Sequence, residues 1–202
     1  MDQAKYWDSA YQTKQATEVS WYQPDPQVSV DLINALPQKP EGIIDVGGGA
    51  SLLVDRLLGG GFQNLAVLDI SQVAVEAARR RLGERAAQVR WIIADITSKQ
   101  DLGCFGVWHD RAVFHFLTAA EDRRRYVELA KQTVTVGGHL IISTFALTGP
   151  SQCSGLPVCR YDASTLAAEL GGAFTLLRQL PESHRTPSGK MQDFIYTLFR
   201  RP

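Results

Sequence analysis

Residues Ile43 to Leu58 read IIDVGGGASLLVDRLL. A short apolar run ends in an acid, three glycines follow, and a helical pattern begins. Such a loop lets a ligand approach the backbone, because glycine has no Cβ to hold it off. The spacing decides which ligand. The phosphate loop of ATPases ends in Gly-Lys-Ser/Thr, and no lysine follows these glycines. The dinucleotide fingerprint is G-x-G-x-x-G/A. Counted from Gly47 its third member falls on Leu52, and counted from Gly48 its second falls on Ala50. A nicotinamide cofactor therefore lacks a contact in either register. Acid-x-Gly-x-Gly does fit, with Asp45, Gly47 and Gly49 around Gly48.

Working outward, strand-like and helix-like segments alternate. EGIIDV precedes a helix over Ser51 to Gly60, and NLAVLDI precedes one over Ser71 to Leu82, with Ser71 as its expected N-cap. QVRWIIAD and FGVWHD follow, then a helix from about Ala120 to Val134, then GGHLIISTFA and a helix over Asp162 to Leu170. This alternation predicts a mostly parallel sheet with helices on both faces. AFTLLRQLPE and MQDFIYTLFRR have no helix between them, so a β-hairpin is expected at the sheet edge. Residues 1–41 carry Tyr6, Trp7, Trp21 and Tyr22 ahead of the first strand, and are read as a helical cap or lid. Residues 42–147 form the cofactor core of a single domain. Residues 148–202 supply a substrate loop and the hairpin.

Composition narrows the function classes. With 45% hydrophobic and 21% charged residues the 202-residue chain reads as globular. Lys plus Arg and Asp plus Glu are 21 each, so no global field attracts nucleic acid or an anionic membrane. The cluster Arg123, Arg124 and Arg125 reads as a solvated helix face. No apolar run reaches about 18 residues and no secretory signal pattern opens the sequence, so the cytoplasm is the expected compartment. Cys104, Cys153 and Cys159 are too scattered for a disulfide framework, and Cys153 and Cys159 lack the pattern of a zinc site. No metal is expected.

Acids recur at successive strand ends. Asp69 closes the second strand 20 residues after Gly49, where a carboxylate can accept ribose hydroxyls. WIIADIT places Asp95 at the third end, and VWHDRAVFHFL places Asp110 at the fourth. With Asp45, Gly47 and Gly49 these residues resemble the motifs of class I S-adenosylmethionine-dependent methyltransferases over roughly residues 40–147. Ser51 stands where that family often has a further glycine. The resemblance implies a Rossmann-like, doubly wound sheet of seven strands, the last antiparallel. It implies S-adenosyl-L-methionine as cofactor and S-adenosyl-L-homocysteine as product. Asp45, Gly47, Gly48 and Gly49 would then lie under its amino-acid half and Asp69 on its ribose. Ile70 and Ile96 would lie at the adenine, Asp95 on the adenine amino group, and Asp110 near the transferred methyl. Trp21 would close over the cofactor. YWDSAY and VSWYQ resemble the start of some small methyltransferases, including a branch that modifies protein lysines.

His115, five residues past Asp110, is the first candidate general base. Tyr161 is a candidate for orienting the acceptor and Arg160 for gripping an acceptor carboxylate. His109, one residue before Asp110, is assigned a structural or supporting role; His184 and Arg185 are read as starting a loop near the hairpin. Trp21, Tyr22, Phe114, Phe145 and Tyr161 are candidates for an aromatic channel that takes an alkylammonium. The expected acceptor is a small molecule methylated at nitrogen, oxygen or sulfur. A protein lysine is the alternative, followed by a cofactor-binding protein without catalysis. A closed pocket would favour the first and an open acidic groove the second. The oligomeric state does not follow from these residues.

Overall fold

The computed structural model describes residues 2–202; Met1, which belongs to the expected cap, lies outside the described residues. Seven strands form one sheet in the order β3-β2-β1-β4-β5-β9-β8. They are β1 Ile43–Val46, β2 Leu65–Asp69, β3 Val89–Ile93, β4 Phe105–Arg111, β5 Val134–Phe145, β8 Thr175–Arg185 and β9 Met191–Arg200. β9 runs antiparallel to both neighbours, so it alone opposes the other six, as expected. A two-residue hairpin, β6 Gln152–Cys153 and β7 Leu156–Pro157, interrupts the loop after β5.

Neighbouring residues in each central strand point to opposite faces. Ile43, Val107, Ile141 and Leu198 pack with α2 Gln27–Asn34 and α3 Leu53–Gly59. Ile44, Trp108, Ile142 and Phe199 pack with α5 Ala120–Thr133 and α6 Ala163–Leu170. Both faces are therefore covered, and β1 and β2 are buried at every position. α4 Gln72–Leu82 begins at Ser71, whose hydroxyl accepts the Ala74 N–H at 3.1 Å. Asp162 caps α6 with a reciprocal capping box through Thr165.

One expectation about a connection changes. β8 runs on to Arg185, so His184 and Arg185 end a strand rather than start a loop. The turn that follows, residues 186–190, holds Pro187 and Gly189. The sheet order reverses direction between β1 and β4, and the crevice at such a switch point is where open α/β sheets bind ligands. α1 Gln3–Thr13 lies across that crevice from the N-terminal side. It docks through Asp8, whose carboxylate accepts the Ser71 hydroxyl at 2.7 Å and the Val73 N–H at 3.1 Å. An acid at that place complements the N-terminus of α4.

Candidate functional site

The glycine loop turns between β1 and α3. Gly47 has φ +67°, and a Cβ there would overlap Val113. Gly49 has φ +34°, and a Cβ there would lie 2.6 Å from Asp69 Oδ2. Only glycine lets the loop pass this close to β2 and to the turn after β4. Arg81, in the last turn of α4, holds the loop from outside. Its guanidinium donates to the carbonyls of Ala50 at 2.9 Å and Ser51 at 2.7 Å, and pairs with Asp55 at 2.7 Å. The Ser51 hydroxyl accepts the Leu53 N–H at 3.1 Å, doing a cap's work for α3.

A cavity of about 230 Å³ opens at the strand ends. Asp69, Ile70, Asp95 and Ile96 line one half of it, together with Leu68 and Thr97. These are the residues expected at the ribose and adenine. Asp69 accepts the Ser71 N–H at 2.8 Å. Burial raises its pKa to about 7, with the charges of Asp45 and Asp8 adding to the effect and the Ser71 hydrogen bond opposing it. Asp95 is exposed and accepts from the Thr97 N–H at 2.8 Å and hydroxyl at 2.7 Å.

The other half is aromatic. Gln3, Trp7 and Tyr11, four residues apart on one face of α1, line it with Trp21, Phe116, Ala112, Arg111 and Cys153. Trp7 makes edge contacts with Trp21 at 5.6 Å and Phe116 at 5.1 Å. The Trp21 indole N–H donates to the Tyr11 hydroxyl at 3.1 Å. A smaller cavity of about 50 Å³ lies beyond Gly47. It is lined by Asp45, Gly48, Ser29, His109 and Tyr22, and shares Tyr11, Trp21, Gly47 and Arg111 with the larger one.

Several sequence candidates lie elsewhere. Asp110 is fully buried, and its carboxylate accepts from the Val113 N–H at 2.9 Å, the Phe114 N–H at 3.1 Å and the Tyr126 hydroxyl at 2.6 Å. Burial raises its pKa to about 6 against those hydrogen bonds. It shapes the turn below the cavity and does not line it. His115 is also fully buried, packed on Phe116 and Phe145. Its Nδ1 accepts the Phe145 N–H at 3.3 Å and its Nε2 has no partner. Burial first, and the Arg111 charge second, pull its pKa down to about 3. Tyr161 packs against Phe114, away from the cavity, with its hydroxyl unpartnered. His115, Asp110 and Tyr161 are thus all buried, and none of them lines either cavity.

The expected aromatic channel changes members too. Phe114 and Phe145 are core residues. Trp7, Tyr11 and Phe116 take that place beside Trp21, while Tyr22 faces the smaller cavity. Arg160 is exposed and donates to the carbonyls of Leu147 at 3.0 Å and Gly149 at 3.2 Å, bracing its own loop. His184 meets the Ser20 carbonyl with Nε2 at 2.8 Å, and Gln23 donates to Glu182 at 2.8 Å. Both pin the segment carrying Trp21 to β8. Cys153 is buried in the cavity wall and Cys159 is half-buried.

The residue that sequence reading missed is Arg111. Its Nε donates to the Tyr196 hydroxyl at 3.0 Å and its Nη1 to the Trp21 carbonyl at 2.9 Å. Nη2 makes no hydrogen bond and faces Glu182 at 3.5 Å. The guanidinium also covers the Phe194 ring at 4.6 Å. The half-buried guanidinium stands in the wall of both cavities, with Glu182 as its counter-charge.

Residues 43–138 match a family model described as a methyltransferase domain. Over 94 residues, 46% of the chain, the protein is 26% identical to the eEF1A lysine and N-terminal methyltransferase of Mus musculus. The chain spans only 13% of that relative's length. The N-methyltransferase NodS from Bradyrhizobium japonicum WM9, solved with S-adenosyl-L-homocysteine, superposes with a TM-score of 0.72 at 17% identity, over 96% of this chain and 98% of that one. A SAM-dependent methyltransferase from Anabaena variabilis ATCC 29413 gives 0.74 at 15% identity, over 100% and 96%. At those identities the likeness is one of fold. The family match, over residues 43–138, thus falls on the glycine cradle and the central strands, and the solved structures share the whole fold. No helix among the described residues is long and apolar enough to cross a membrane.

Proposed function

We propose that the protein transfers a methyl group from S-adenosylmethionine to a small-molecule acceptor. The observation that carries this reading is the aromatic half of the cavity, roofed by α1 and the segment around Trp21. The adenosine fits the half lined by Asp69, Ile70, Asp95 and Ile96. Asp69 would accept its ribose hydroxyls, and Ile70 and Ile96 would supply the apolar wall at its adenine. The smaller cavity, with Asp45 and Arg111 in its wall, suits the ammonium and carboxylate of the amino-acid end. The glycine cradle supports this, because Gly47 lines both cavities and a Cβ there would overlap Val113 in the wall of the larger one.

The sulfonium supplies an already activated methyl. The protein's task is alignment, and positioning alone can supply much of the acceleration. Trp7, Trp21 and Phe116 exclude water from the acceptor side and face a cation well. Nitrogen is the favoured acceptor atom, supported by those rings and by the N-methyltransferase NodS. The equal count of acidic and basic residues supports a diffusible acceptor in the cytoplasm rather than a nucleic acid.

A protein lysine is the second reading, favoured by the mouse relative and the same aromatic walls; it requires the α1 roof to open. Calorimetric titration with S-adenosylmethionine and with NAD tests the cofactor. Formation of S-adenosylhomocysteine with small amines, thiols and phenols, against lysine peptides, tests the acceptor. Binding of NAD alone refutes the cofactor reading, and turnover of peptides alone refutes the acceptor reading.

A further inference from the structure

α4 serves both cavities, and Arg81 in its last turn grips the glycine loop from behind. Ala74, Ala78 and Arg81 follow one another at i, i+4 and i+7, so they share one face of the helix. Ala74 and Ala78 are fully buried. The loop lies against them, since a Cβ on Gly49 would come within 3.2 Å of the Ala74 Cβ. Two alanines keep that face low. A long side chain from the last turn can then reach the loop, because helical side chains lean toward the helix N-terminus.

The guanidinium acts as a fork. Nη1 donates to the Ala50 carbonyl at 2.9 Å and Nη2 to the Ser51 carbonyl at 2.7 Å. Nε lies 3.2 Å from both Asp55 carboxylate oxygens, and Nη2 donates to Oδ2 at 2.7 Å. The plane of the fork is thus aimed from α3 as well. The Arg81 side chain is 29% exposed and that of Asp55 20%, and an ion pair so open to solvent contributes little by itself. Its consequence is orientation. In a trans peptide the C=O and N–H point opposite ways. With the Ala50 carbonyl drawn to Arg81, the Ser51 N–H is turned away from it and donates to the Gly48 carbonyl at 2.7 Å, closing a turn over residues 48–51.

Gly48, Ala50 and Ser51 line the smaller cavity and not the larger one. The other end of α4 serves the larger cavity, where the Ser71 N–H donates to the Asp69 carboxylate at 2.8 Å. One helix therefore sets the distance between the ribose acid and the loop that walls the smaller cavity. Arg81 itself lines neither cavity.

We propose that Arg81 is a positioning residue for the amino-acid end of the cofactor. It fixes the glycine loop on α4, so that a ligand anchored at Asp69 meets the smaller cavity in register. This inference rests on the cofactor reading above.

The test compares two probes, S-adenosylhomocysteine and 5′-methylthioadenosine, which keeps the adenosine and sulfur but lacks the amino-acid tail. Arg81→Met keeps an unbranched stem and removes the fork. By calorimetry it should weaken S-adenosylhomocysteine about tenfold, the order of one lost charge-assisted hydrogen bond. Methylthioadenosine binding should change by less than about twofold, because Asp69 and the larger cavity are untouched. Arg81→Lys keeps the charge, but one ammonium cannot span two carbonyls and a carboxylate as the planar fork does. It should show the same selectivity with a smaller loss. Thermal unfolding establishes that each variant is folded, and Arg81→Lys carries the test if Arg81→Met is not. A merely structural arginine would lower the melting temperature and leave the ratio of the two affinities unchanged. That parallel behaviour, or no loss of S-adenosylhomocysteine affinity in either variant, would overturn the positioning role. A wild type that binds neither probe would instead overturn the cofactor reading.

Discussion

Asp69→Asn should weaken cofactor binding and stabilise the unliganded protein. The carboxyl is 7% exposed, and burial raises its pKa from 3.8 to about 7. Between those values the folded state keeps a proton that the unfolded chain has released. Stability therefore falls as pH rises, by about 1.4 kcal/mol per unit. The penalty is absent below pH 3.8, grows across the interval, and is constant above about 7. Its full size is ~4 kcal/mol, an upper bound because local relaxation reduces it. Asn escapes it and can still accept the Ser71 N–H. At about 2–4 °C per kcal/mol for a chain of this size, the unliganded variant should melt several degrees above wild type at pH 8. The two curves should converge near pH 4. Binding should go the other way. Two charge-assisted bonds from the ribose, worth roughly 1.5–3 kcal/mol each, become one neutral bond. A net loss of about 2–3 kcal/mol is roughly 30–150-fold in Kd. Differential scanning fluorimetry from pH 4 to 8 and calorimetry with S-adenosylhomocysteine at pH 8 read both effects. A variant that binds like wild type, or melts lower at pH 8, would refute the placement of Asp69 at the ribose.

Wild-type affinity should itself rise with pH to about 7 and then flatten, because the ribose hydroxyls favour the ionised Asp69; at pH 6 it should be about tenfold weaker than at pH 8, and titration of Asp69→Asn should show no such slope. Gly47→Ala combines a positive φ with overlap on Val113, so calorimetry should show at least about a tenfold loss of S-adenosylhomocysteine affinity with the fold retained; unchanged affinity would mean that the loop is not the cradle. His115→Phe removes an unpartnered Nε2 but also the acceptor for Phe145 N–H, so denaturant unfolding should shift by no more than about 1 kcal/mol. Its turnover should stay within about twofold with the same pH profile; loss of an ionisation from that profile would restore His115 as a base. Asp8→Ala removes the two hydrogen bonds that dock α1 on α4; amide exchange over residues 3–13 should quicken, and no change would mean that aromatic packing alone holds the helix.

What sequence reading could and could not locate follows from which level of structure fixes each residue. The glycine loop, Asp69, Ile70, Asp95 and Ile96 were legible because parallel βαβ units bring every strand's C-terminal end to one edge. Counting to the end of a strand is then enough. The reacting end was not legible, because there the side chain's direction decides. In β4, Phe105, Val107, Trp108, His109 and Asp110 are all buried, so no alternation of apolar and polar residues marks a face. His115 was placed by its distance from Asp110 along the chain. The Asp110 carboxylate instead grips Val113 and Phe114 N–H and winds the next residues into a tight turn. That turn drives His115 against Phe145 and leaves Phe116 to the cavity. Arg111 follows from parity once the strand order is known. It shares a face with His109, two residues away, and His109 is the register partner of Asp45. The order β1-β4 is a consequence of the whole sheet, and no local window contains it.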